Sequence, residues 1–139
     1  MQYRSISFSL CLIVLFIAGC ATSYQPANWR GYGFSEKQLS EQSFLVSFKG
    51  NANTSPTDVQ RMLLKRCAEL TVFYGYSYFL IIDKDSDKKT NLTYNEATED
   101  YNKEEEHTKS VLMFMANEKD ISPEGRQKAI NAGIYLRDR

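Results

Sequence analysis

Between Ser43 and Lys49 apolar and polar positions alternate, and Phe44, Val46 and Phe48 share one face. That period of two predicts a half-buried strand, which Gly50-Asn51 ends. Ser55-Pro56-Thr57-Asp58 then has the form of a helix start, with Ser55 as the cap and Pro56 in the first turn. At 100° per residue Val59, Leu63, Cys67, Leu70 and Tyr74 fall on one stripe, predicting an amphipathic helix that stops at Gly75. Tyr78 to Ile82 is a dense apolar run suited to the middle of a sheet. Val111 to Ala116 predicts another strand. Ser122-Pro123-Glu124 opens a last helix, expected to run to the end and to bury Ala129, Ala132, Gly133 and Leu136.

Residues 83–107 are polar and heavily charged, which predicts a charged loop insertion or a long hairpin excursion. Residues 20–42 show no period and contain Pro26, Gly31 and Gly33, as a tether would. The order strand, helix, strand, long loop, strand, helix predicts an α+β fold. Its expected form is a two-layer α/β sandwich, with a small mixed sheet and the helices on one face, in a single domain over residues 43–139.

A different pattern precedes residue 20. After Arg4 a continuous apolar run extends from Phe8 to Phe16 and stops at Ile17-Ala18-Gly19-Cys20. Charge, apolar stretch and small residues in that order make a secretion signal over residues 1–19, too short to span a bilayer comfortably. The Ile-Ala-Gly-Cys ending resembles a lipobox, which implies cleavage between Gly19 and Cys20. The Cys20 thiol would then carry a thioether-linked diacylglycerol, and its amine a further acyl chain. Several acyl chains anchor a protein almost irreversibly. Residue 21 is Ala rather than Asp, which by resemblance to enterobacterial sorting rules implies the outer membrane over retention at the inner one.

Of the 139 residues, 19 leave with this signal and 120 remain, enough for one core. Basic and acidic residues number 17 each, and Arg4 is the only charge in the signal, so the remainder is nearly neutral. That balance gives no electrostatic footprint for nucleic acid. Cys11 leaves with the signal and Cys20 is taken by lipid, so Cys67 has no disulfide partner within the chain and is expected as a buried helix thiol.

Candidate chemistry is thin. Asp83, Asp85 and Asp87 begin like a calcium loop, but Lys88 and Tyr94 stand where that loop needs glycine and a bidentate glutamate. Glu104-Glu105-Glu106-His107 holds the only histidine, without the converging ligands that zinc requires. No nucleophile elbow, phosphate-binding loop, CxxC or HExxH pattern is present. The expectation is therefore a protein that is not an enzyme, with no metal and no cofactor beyond the lipid on Cys20. Arg66, at the border of the helical stripe, is expected to pair locally with Glu69 or to anchor a strand end at Asn51 or Asp83.

Gly33-Phe34-Ser35-Glu36, Phe48-Lys49-Gly50-Asn51, Arg66-Cys67-Ala68-Glu69-Leu70 and Gly75-Tyr76 with Phe79 follow one another in that order. They resemble a family of small proteobacterial lipoproteins reading roughly GYSE, FxGN, RAAEL and GYxxF, over residues 31–83. Phe34 replaces the tyrosine of the first motif and Cys67 an alanine of the third. The resemblance implies an envelope location and a compact α/β domain, and no activity. The motif residues read as structural.

Two functions remain open at this level. One is a membrane-tethered structural or interaction protein that meets an envelope partner through a sheet edge or the 83–107 segment. The other is a sensor with a small pocket lined by Tyr74, Tyr76 and Tyr78. Arg66, Glu69, Tyr76 and Tyr78 are the expected partner or ligand contacts.

Overall fold

Ser55 caps the helix as its sequence requires: its hydroxyl accepts from the Asp58 amide at 3.0 Å, and Pro56 opens the first turn. The helix, α1 (Pro56–Phe73), belongs to a computed structural model that describes residues 20–85, 88–95 and 100–138. The expected signal, Gly19 included, lies outside the described residues. At the other end of α1 the Gly75 amide bonds to the Val72 carbonyl and the Tyr76 amide to that of Thr71. This double closure needs a left-handed residue, and Gly75 supplies it at φ 80°.

Six strands form the sheet: β1 (Gly33–Gln38), β2 (Ser43–Gly50), β3 (Tyr78–Asp85), β4 (Lys88–Asn95), β5 (Asp100–Ala116) and β6 (Ile130–Asn131). Their order is β1-β2-β5-β3-β6, with β4 also on β5. β2 and β3 both pair with β5, so α1 carries the chain across one intervening strand. Every ladder is antiparallel, where the sequence reading expected a mixed sheet. The α+β class and its two layers are as expected.

One face of the sheet packs on α1. Phe44, Val46 and Phe48 from β2, Val111, Met113 and Met115 from β5 and Phe79 from β3 are buried against Val59, Leu63, Cys67, Ala68 and Leu70. Each large apolar side chain so buried contributes about 1.5–3 kcal/mol. Tyr74, expected on the buried stripe, lies at the helix cap and is exposed.

Three expectations are corrected. Of the two readings of residues 83–107, the hairpin excursion holds and the loop insertion does not. β4 continues β3 along β5 in unchanged register, Asp85 facing Ser110 and Lys88 facing His107, down to Asn95 opposite Asp100. β2 stops at Gly50, opposite His107, so the outer half of this hairpin is a two-stranded ribbon leaving the sheet. A two-stranded ribbon outside the part of the sheet that packs on α1 needs no apolar alternation, and its sequence does not read as strand.

Residues 20–42 are not a slack tether either: they contain β1, and Thr22 and Gly33 are buried. Finally, the last helix is broken into α2 (Pro123–Arg126), β6 and α3 (Ala132–Arg137). Asn131 starts α3 afresh, its side chain accepting from the Ile134 amide at 3.0 Å. Ala132 is buried as expected, whereas Gly133 is exposed. α3 lies against α1, and α2 sits near Leu80, whose side chain alternates with the inward Phe79.

Candidate functional site

Two clusters hold residues 20–38 onto the domain. The first is built around Asn51, at the end of β2. Its side-chain amide donates to the Cys20 carbonyl at 2.9 Å, and its side-chain oxygen accepts from the Asn53 amide and the Thr54 hydroxyl. The Thr22 amide donates to the Thr54 hydroxyl at 2.8 Å, and the Thr22 hydroxyl accepts from the Asn51 amide at 2.9 Å. Thr22 and Thr54 are both buried, so these bonds are shielded from water. Cys20 itself is exposed. Its backbone is fixed while its side chain faces outward.

The second cluster centres on Arg66. Its guanidinium forks onto Glu36 of β1, Nη2 to Oε1 at 2.6 Å and Nε to Oε2 at 3.2 Å, and reaches Glu69 at 3.3 Å. It also lies 4.3 Å from the centre of the Phe34 ring. Glu69 accepts a bond from the Tyr24 hydroxyl, and Lys65 sits over the Tyr24 ring at 4.2 Å. Burial, then the neighbouring Glu69, raise the Tyr24 pKa above its ordinary value. Contact with Glu36 raises that of Arg66. Arg66 therefore makes the expected bond to Glu69, but the strand it anchors is β1 through Glu36 rather than the Asn51 end of β2, and the Asp83 side chain lies outside the described residues.

Beside this cluster runs an open groove of about 320 Å³ lined by Glu36, Arg66, Glu69, Leu70, Phe73 and Tyr74. Phe73 is 81% exposed there. Of the three tyrosines expected to line a pocket, Tyr74 borders this groove and the other two are placed elsewhere. Tyr74 packs on Phe44 with ring centres 5.1 Å apart, Tyr76 lies on the core, and Tyr78 sits in β3 between Ala116 and Asn131. Of the expected contacts, Arg66 and Glu69 come together, and Tyr76 and Tyr78 stand apart from them.

Glu106 was missed as a partner. It is only 7% exposed, bonded to Lys49 at 2.8 Å and to the Tyr32 hydroxyl at 2.5 Å, and these two donors hold its carboxyl below the ordinary 4.5. Cys67 is the buried thiol that the helical stripe implies, and burial pushes its pKa up to about 12. Such a thiol is not a nucleophile at neutral pH. Among the described residues no group of three or more histidine, cysteine or acidic side chains is placed to hold a metal, and no helix is long and apolar enough to cross a membrane.

Comparison with known proteins gives no relative. No family model, curated protein or solved structure matches the chain.

Proposed function

We propose that this protein is a bacterial lipoprotein, held on the periplasmic face of the outer membrane by lipid on Cys20, with a structural or protein-interaction role and no catalysis. The observation that carries this reading is the apolar run from Phe8 to Phe16 closing on Ile17-Ala18-Gly19-Cys20, with the fold beginning immediately afterwards at Thr22. A cysteine that bears lipid has to be exposed, and Cys20 is. Ala21 in place of aspartate favours the outer membrane, by resemblance to enterobacterial sorting rules. The resemblance of the Gly33, Phe48, Arg66 and Gly75 motifs to small proteobacterial lipoproteins points the same way.

An interaction role is supported by free backbone edges. Beyond Gly50 the ribbon of β4 and β5 is no longer flanked by β2, and such edges accept an added strand from a partner. The sensor alternative has less support because, of its three expected tyrosines, Tyr74 alone borders the groove beside Arg66.

Mass spectrometry of the mature amino terminus, with membrane fractionation of wild type and Cys20→Ser, tests the reading. The expected result is a chain beginning at Cys20 with a triacyl modification, lost from membranes in Cys20→Ser. An unmodified Cys20 in protein purified from its own membranes overturns it. For the interaction role, crosslinking of the lipidated protein that recovers no envelope component counts against it.

A further inference from the structure

The Cys20 carbonyl is bonded to Asn51 and the next residue but one, Thr22, is buried between Thr54 and Asn51. A free segment over residues 20–42 would reach up to about 80 Å. Held as it is, the segment leaves no such reach, and lipid on Cys20 brings the Gly50 end of the sheet down to the bilayer.

The same end carries the most exposed large apolar side chain among the described residues. Trp29, 86% exposed, sits in the turn Asn28–Gly31. The turn is stiff. The Gly31 amide donates to the Asn28 carbonyl, and the Asn28 side-chain oxygen accepts from the amides of Arg30 and Tyr32. The turn leads directly into Gly33, which pairs with Lys49 beside Gly50, so it lies at the end where Cys20 is clamped. The Arg30 guanidinium stacks 4.5 Å from the Trp29 ring centre. An indole with a cation beside it suits the headgroup layer: the ring enters the acyl boundary and the guanidinium meets phosphates.

We propose that the lipidated domain is seated on the bilayer without slack, and that the Asn28–Gly31 turn places Trp29 among the headgroups next to Cys20. This rests on the lipoprotein reading above. The ribbon of β4 and β5 leaves from the same end, but its sequence carries Lys88, Lys89, Lys103, Glu104 and Glu105. Charges of that density are excluded from hydrocarbon. The ribbon therefore has to lie along the headgroup surface, and the turn is what enters the bilayer.

Trp29 is the only tryptophan, so its fluorescence reports on this contact alone. The full lipidated protein is reconstituted in phosphatidylethanolamine and phosphatidylglycerol vesicles, with mass spectrometry of the same sample to establish the lipid on Cys20. The expected emission is blue-shifted relative to unlipidated Cys20→Ser, quenched at least about two-fold more by lipids labelled near the headgroup than in unlabelled vesicles, and protected from aqueous iodide. A second variant carries a Gly/Ser insert of about eight residues between Ala21 and Thr22, which restores roughly 25 Å of reach without touching the packed residues. It is expected to return Trp29 to water while lipid remains on Cys20. Lipid on Cys20 with Trp29 open to iodide overturns this inference and leaves the lipoprotein reading standing. So does a Trp29 signal that the insert does not move. Absence of lipid on Cys20 overturns both.

Discussion

A carbon added to Gly50 would stand 2.6 Å from the Thr54 Cβ and 2.9 Å from the Val59 Cγ2. The glycine is there to let β2 and the start of α1 close on each other, which brings Thr54 and Asn51 to the Thr22 and Cys20 backbone. Gly50→Ala is expected to cost about 2–3 kcal/mol, because the short, buried Thr54 and Val59 side chains have to shift. Gly75→Ala has open space around it and meets only the left-handed backbone, so about 1 kcal/mol is expected. Urea unfolding of both variants checks the ranking. A Gly50→Ala chain as stable as Gly75→Ala refutes the close-approach role.

Arg66 joins α1 to β1 through a two-pronged contact with Glu36 and a ring contact with Phe34. Arg66→Ala is expected to lose about 1–2 kcal/mol, and Arg66→Lys to recover less than half, since an ammonium cannot fork onto a carboxylate. The pair is partly exposed, so a double-mutant cycle with Glu36→Gln should give a coupling of only about 1 kcal/mol. A coupling near zero would mean that Arg66 acts through Phe34 and Glu69 alone.

The sequence made the fold legible where local rules operate. Ser55, Pro56 and Gly75 bound α1 by contacts within a few residues, and β2 announced itself because one face is buried and the other is not. The Arg66–Glu69 contact was readable for the same reason, being one helical turn. The Glu36, Tyr24 and Glu106 contacts were not. Their partners lie 30, 45 and 74 residues away, and nothing in a window of sequence marks such pairs. The alternation that reveals β2 is missing from the β4–β5 ribbon, which lies beyond the part of the sheet that packs on α1. Asn131, read as interior to one long helix, instead accepts from the Ile134 amide and divides it.

Cys67 sits on the buried face of α1 with no measurable exposure. At pH 8 a thiol with a pKa of about 12 is ionised to only about one part in 10,000, and alkylation needs both the thiolate and access. In the unlipidated chain beginning at Cys20, iodoacetamide is expected to label Cys20 rapidly and Cys67 only on unfolding, so that Cys67 labelling tracks the urea transition. Equal labelling of both thiols in native buffer would show that the core under α1 opens far more often than its packing implies.

Glu106 gives the domain a defined acid weakness. Its carboxyl is buried, and Lys49, then Tyr32, favour the ionised form, so its folded pKa lies below the ordinary 4.5. A group depressed on folding contributes stability that is fully present above the unfolded pKa and is lost as pH falls through the folded one. Wild type is therefore expected to lose this contribution on acidification from about pH 5 downward. Glu106→Gln, which cannot ionise, should start less stable at pH 7 and show a shallower decline over the acid range. Lys49→Met removes the larger cause and should bring the folded pKa back toward 4.5, flattening the same decline. Thermal unfolding between pH 7 and pH 3 distinguishes the three chains. Parallel acid profiles for wild type and Glu106→Gln would mean that other carboxylates, Asp58 at the start of α1 among them, set the acid limit instead.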